Sequence, residues 1–174
     1  MTAMSQRMDS PTLRMLPLLA LCASWLLAGC AGAPERVAEP AGIPSVARQV
    51  TLGDSVAELA MGMVGTPYRY GGADPRNGFD CSGLVYYTYS QAGLEVPRTS
   101  QEQFRVARKI SLGELGTGDV MFFQDQTKLS HVGIYVGDGL FVHAPARGER
   151  VSVASIDAPY YQQHLVAVGR LLPN

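Results

Sequence analysis

The sequence predicts an α+β fold in which N-terminal helices pack on a five- to six-stranded antiparallel sheet. Helical spacing with cap and stop signals fills the first half of residues 52–174. From Asp119 onward the pattern changes to short runs of β-branched and aromatic residues, mostly separated by Gly-Asp or Pro. That stretch is on the order of 120 residues, enough for one domain with one core. The first helix opens at Asp54-Ser55-Val56-Ala57-Glu58-Leu59-Ala60, with Asp54 or Ser55 as its cap and Gly65-Thr66-Pro67 as its end. Tyr68 to Gly78 reads as a loop. The second helix runs from Cys81 to Ala92, capped by Asp80 and stopped by Gly93, with Leu84, Val85 and Thr88 on one side. A short third helix covers Ser100 to Ala107. The strands follow at Val120–Phe123, His131–Val136, Leu140–Ala144, Val151–Ala154 and Val166–Leu171.

The segment before the domain has a different character. Arg7 and Arg14 precede a short apolar stretch from Leu16 to Leu27, too short to span a bilayer comfortably. Residues 1–29 therefore read as a secretion signal. Leu27-Ala28-Gly29-Cys30 resembles the lipobox of bacterial lipoproteins, which implies that Cys30 becomes the lipidated N-terminus. Ala31 follows it, and in that sorting logic a residue other than Asp favours the outer membrane. Residues 30–51 form a tether rich in Ala, Pro and small residues, with Pro34, Pro40 and Pro44.

Cysteine usage narrows the chemistry. Cys22 leaves with the signal and Cys30 is acylated, so Cys81 is the one thiol of the mature protein. No internal disulfide is then possible in an oxidising compartment. A small buried hydrophobe is one reading of such a cysteine, and a nucleophile is the other. One cysteine and scattered histidines lack the usual ligand spacings of zinc, and chemistry at an activated thiol needs no metal or organic cofactor. Loss of residues 1–29 removes Arg7, Arg14 and Asp9 and leaves a net charge of about −2. No basic stripe suggests nucleic acid.

Three residues supply the parts of an activated sulfur nucleophile: Cys81, His131 and His143. With Asp80 as cap, Cys81 falls in the first turn of its helix, where the partial positive charge lowers a thiol pKa. The free amides of that turn could face an oxyanion. His131 and His143 flank Gly137-Asp138-Gly139, and register decides whether they cooperate. A two-residue Asp138-Gly139 turn pairs Ile134 with His143 and sends His131 to the opposite face. A three-residue loop, or a bulge with the same effect, pairs Gly133 with His143 and puts both imidazoles on one face. Gly133 then leaves room between them, or is a plain sheet glycine at a close approach.

Taken together, these residues resemble the NlpC/P60 family of papain-like cell-wall peptidases. The resemblance rests on Gly65-Thr66-Pro67-Tyr68-Arg69-Tyr70-Gly71-Gly72, Asp80-Cys81-Ser82-Gly83, Pro97-Arg98-Thr99-Ser100, Gly118-Asp119-Val120-Met121-Phe122-Phe123, His131-Val132-Gly133-Ile134-Tyr135 and His143-Ala144. It implies the papain-like NlpC/P60 fold, with Cys81 as nucleophile, His131 as general base and then acid, and His143 as the orienting residue. It also implies that Tyr68 lies near the nucleophile and that Asp80, Ser82, Arg98 and Ser100 contact substrate; the Arg98 guanidinium could hold a carboxylate in a bidentate grip. Each has a structural alternative: Tyr68 as a core tyrosine, Asp80, Ser82 and Ser100 as helix caps, Arg98 as a surface ion pair.

The function implied is hydrolysis of an amide bond in murein stem peptides or crosslinks through a thioester. The implied partners are the peptidoglycan stem peptide and, through the lipid, the outer membrane facing the periplasm of a Gram-negative bacterium; a monomer is expected. Two rivals are a lipid–amine acyltransferase on the same scaffold and a non-catalytic murein-binding lipoprotein. His164 reads as solvated or structural, Asp119 as fixing a turn, and Arg147, Glu149 and Arg150 as an exposed loop. Either the γ-D-glutamyl–diaminopimelate bond or the D-alanyl–diaminopimelate crosslink fits as the bond cut.

Overall fold

Thr51 sets where the first helix begins. In the computed structural model, which describes residues 49–125 and 128–173, helix α1 spans Leu52–Met61. The expected signal at 1–29, Cys22, Cys30 and most of the expected tether at 30–51 lie outside the described residues. Thr51 Oγ1 accepts from the Asp54 N–H at 3.1 Å, and the Asp54 carboxylate accepts from the Thr51 N–H at 3.0 Å. This reciprocal capping box starts the helix before the expected Asp54 or Ser55, and makes Asp54 its third residue. The helix closes at Gly62 rather than at Gly65-Thr66-Pro67. Val56, Ala57 and Ala60, at helical spacing, form its buried side.

The expected loop at 68–78 contains a small hairpin, β1 (Ala73–Asp74) with β2 (Gly78–Phe79). Asp74 closes it by accepting from the Arg76 N–H at 2.7 Å and the Asn77 Nδ2 at 2.9 Å. Helix α2 follows at Cys81–Gln91, capped by Asp80 as the sequence indicates. Leu84, Val85 and Thr88 are buried together on one side, and Gly93 takes φ +79° just beyond the end. Helix α3 covers Ser100–Val106, and its cap is Thr99 rather than Ser100.

Six strands form one antiparallel sheet: β3 (Arg108–Ile110), β4 (Val120–Asp125), β5 (Lys128–Gly137), β6 (Leu140–His143), β7 (Ser152–Ser155) and β8 (Leu165–Arg170). Their spatial order is β3-β8-β4-β5-β6-β7. It departs from a plain meander because β8 returns between β3 and β4. Strand β3 and helix α4 (Pro159–His164) carry no sequence signal of their own; both are short and take their stability from neighbours.

Strand β4 is buried on both faces, and its alternating residues define two cores. Val120 and Phe122 pack with Val132, Ile134, Leu84 and Val85 beneath the helices. Met121 and Phe123 join Phe141 and Val168 on the other face, with Tyr161 of α4 against them. Buried Asp119 ties the start of β4 to the end of β8: it accepts from Arg170 Nε at 2.7 Å and from the Gly116 N–H at 2.8 Å. The expected turn role of Asp119 holds, with a salt bridge added.

Candidate active site

Asp80 caps α2 by accepting from the Gly83 N–H at 2.6 Å, which fixes Cys81 as the first residue of the helix. The turn is held from below by Arg98. Its Nη1 donates to Asp80 Oδ1 at 3.0 Å and Ser82 Oγ at 3.1 Å; its Nη2 donates to Asp80 Oδ2 at 2.8 Å and to the Gly72 carbonyl at 3.1 Å. Four of the five guanidinium N–H groups are thereby engaged. The carboxylate that Arg98 grips here is that of Asp80, the ion-pair alternative named for it from the sequence. Burial works to raise the Asp80 pKa, but the Arg98 and Gly83 hydrogen bonds outweigh it and hold the acid below its usual range. Ser82 is buried within this network. Gly83 is required there: a Cβ on it would stand 1.9 Å from the Gly72 carbonyl oxygen.

The Cys81 thiol, the one cysteine among the described residues, lies against the backbone N–H of Val132 on β5. That amide is free of the sheet for a geometric reason. Tyr135 turns its N–H toward Asp119 on the β4 side, so by alternation Val132 turns its own toward β6. The β5–β6 pairing ends at Ile134–Val142, short of Val132. The residue before Val132 is His131.

His131 Nε2 lies 2.8 Å from His143 Nδ1. The hairpin achieves this by the bulge, not by a three-residue loop. Tyr135 pairs with Phe141 and Gly137 with Leu140, so Val136 is the extra residue. The turn itself is Asp138-Gly139, with φ of +51° and +71°, a combination that favours Asp and Gly. The register above the bulge puts Gly133 opposite His143, as required for a shared face. The room at Gly133 is not empty, however. A Cβ there would come within 2.5 Å of the Phe141 ring, which fills the space below the imidazoles. Phe123, paired with His131 across the sheet, packs against that imidazole with ring centroids 5.9 Å apart.

The far side of His143 meets two hydroxyls. Tyr161 Oη stands 3.3 Å and Ser152 Oγ 3.4 Å from His143 Nε2. Sequence reasoning missed both. Ser152 follows from the alternation of β7 once its pairing with His143 is known, whereas Tyr161 sits on the short helix α4.

The electrostatics correct one expectation. Burial pushes the Cys81 thiol above its ordinary value; the Val132 N–H opposes this, the Asp80 charge adds to it, and the Ser82 and Cys81 amides oppose it more weakly. The net direction is therefore upward, opposite to the lowering expected at a helix N-terminus. Burial, and then the neighbouring His143, push His131 down; burial pushes His143 down. All three shifts favour the uncharged thiol and imidazoles.

Tyr68, Asp80, Ser82, Arg98 and Ser100 all line one groove with Cys81. Burial, with the Cys81 and Asp80 charges, raises the Tyr68 pKa. The imidazoles line an adjoining cleft, and Ser130 borders both. His164, expected to be solvated or structural, stacks on Tyr160 at 4.2 Å and bonds the Tyr160 carbonyl at 2.6 Å. Arg147, Glu149 and Arg150 are exposed, as expected.

Comparison with known proteins places this geometry in context. Residues 65–170 match the model of the NlpC/P60 family. The chain is 43% identical over 117 residues to murein DD-endopeptidase MepH of Escherichia coli, covering 64% of this chain and 43% of that protein. It is 39% identical over 121 residues to the bifunctional muramidase/DL-endopeptidase CwlT of Bacillus subtilis, covering 68% and 36%. The chain thus spans less than half the length of either relative. An NLP/P60 family protein of Staphylococcus aureus superposes with a TM-score of 0.64 at 34% identity, over 71% of this chain and 42% of that one. The NlpC/p60 domain of the peptidoglycan hydrolase SagA gives 0.60 at 34% identity, over 68% and 97%.

Proposed function

The chain belongs to the NlpC/P60 family, and on that premise we propose that it is a peptidoglycan endopeptidase acting through Cys81. One observation carries the reading: the Cys81 sulfur meets the Val132 amide beside His131, whose ring is backed at 2.8 Å by His143. In the proposed reaction the sulfur attacks the carbonyl carbon of a stem-peptide amide. Its proton passes to His131 as the carbon–sulfur bond forms. The Cys81, Ser82 and Val132 amides, which bear on the sulfur, are the proposed oxyanion donors. His131 returns the proton to the leaving amine as the carbon–nitrogen bond breaks, and water then hydrolyses the thioester. Tyr68, Asp80, Ser82, Arg98 and Ser100 frame the acyl side. Arg98 and Ser82 act by holding Asp80 and the helix turn, with no direct carboxylate grip.

The relatives are named for DD- and DL-endopeptidase activities, and both kinds of bond join the proposal. Mass spectrometry of murein digested by the full chain tests it. New free amines at D-alanyl–diaminopimelate or γ-D-glutamyl–diaminopimelate bonds, absent with Cys81→Ala, are expected. Undiminished cleavage by Cys81→Ala would sink the assignment, and a lipid-derived amide product would indicate acyl transfer instead.

The proposal extends to the location. Leu27-Ala28-Gly29-Cys30 with Ala31 supports an outer-membrane lipoprotein acylated at Cys30 and facing the periplasm. A mature chain that carries no acyl group would count against it.

A further inference from the structure

Resting on that reading, we propose that Tyr161 and Ser152 are positioning residues that hold His143 in the one tautomer that lets His131 serve as a base. His131 presents Nε2 to His143, so in the proposed reaction Nδ1 is the ring nitrogen that must act as the base. A neutral imidazole carries one N–H. For Nδ1 to take a proton, the resting proton of His131 must sit on Nε2 and be donated to His143 Nδ1. His143 Nδ1 must then be bare, and the single proton of His143 must sit on Nε2.

The requirement tightens as the reaction proceeds. When His131 becomes an imidazolium, both of its nitrogens carry protons, and His143 Nδ1 can only accept. The His143 Nε2–H then needs an acceptor. The two oxygens within reach are Tyr161 Oη at 3.3 Å and Ser152 Oγ at 3.4 Å. They stand on separate elements, α4 and β7, and share the N–H between them. Donation to them makes His143 Nδ1 a better acceptor for the charged ring, since linked hydrogen bonds polarise one another. The reverse tautomer would put the His131 proton on Nδ1, the nitrogen that must receive one, and remove the base. No proton is gained or lost by His143, Tyr161 or Ser152 in the cycle.

Tyr161 is also held as a ring. It packs against Phe123, Phe141 and His143 with centroids 5.3, 4.9 and 5.4 Å apart. Tyr161→Phe therefore keeps the packing and removes only the hydroxyl.

The test uses the full chain in detergent, labelled with nitrogen-15 at histidine, with His164→Gln used to assign signals. Wild type is expected to show His143 bare at Nδ1 and protonated at Nε2. Tyr161→Phe with Ser152→Ala is expected to mix the tautomers and to lower kcat about a hundredfold, with KM within about twofold, given that a wrong tautomer in a serine triad costs up to ~10⁴. Tyr161→Phe alone is expected to cost about tenfold, and Ser152→Thr to recover what Ser152→Ala loses. Unchanged nitrogen signals and kcat within about twofold in the double variant, with Cys81→Ala still inactive, overturn this inference and leave the peptidase reading intact. Activity in Cys81→Ala overturns the peptidase reading, and the nitrogen signals still decide the tautomer.

Discussion

Burial shifts Cys81 and His131 each toward its neutral form. A pH profile follows. In the proposed reaction His131 must be unprotonated, and its pKa is depressed from 6.5, so the acid limb of kcat/KM is expected below 6.5. The Cys81 pKa is raised from 9.0, and the basic limb, where no proton remains for the leaving amine, lies above 9.0. A plateau between those values, measured on a soluble muropeptide, is expected; a bell centred near pH 5 would contradict it. Stability moves with the same sign on the acid side. The unfolded histidines take protons first, so stability is full above 6.5 and declines as pH falls through it. At this scale the Asp80 cap was legible because capping is local in sequence. The occupant of Arg98 was not, because Asp80 lies 18 residues away and only the folded turn brings them together.

Among the elements, the meeting of α2 with the loop before it carries the tightest constraint. The Gly83 approach to Gly72 has no space for a methyl group, and the obstacle is a backbone carbonyl that also receives Arg98. Gly83→Ala is expected to cost about 3 kcal/mol in urea unfolding and to abolish cleavage, as overpacking displaces the Asp80 cap. Gly113→Ala is the control: its Cβ would meet nothing closer than Ser111 Oγ at 4.0 Å, and it is expected to change little. Helix and strand existence was legible from periodicity and turn residues. The bulge at Val136 was legible only as a requirement, from the need to bring His131 and His143 to one face. Strand β3 and helix α4 were not legible. Three residues, two of them charged, and a six-residue helix hold no pattern without their neighbours.

For the molecule as a whole, the return of β8 between β3 and β4 was invisible to the sequence, since alternation reports faces and not neighbours. The proposed anchor belongs to this scale as well. A lipid at Cys30 confines the enzyme near the wall and raises its effective concentration there. Cys30→Ala is expected to move the protein from the membrane to the soluble fraction on cell fractionation. Digestion of isolated muropeptides should stay unchanged, while turnover of intact wall per molecule falls about tenfold or more. Equal wall turnover by both forms would refute the advantage. The sheet is also open, with β3 and β7 as its two borders. One border is three residues long and carries exposed Arg108 and Lys109; the other is four residues long. Neither offers a long greasy template to the backbone of a stranger, so crowded copies are deterred from stitching together into ribbons and fibrils.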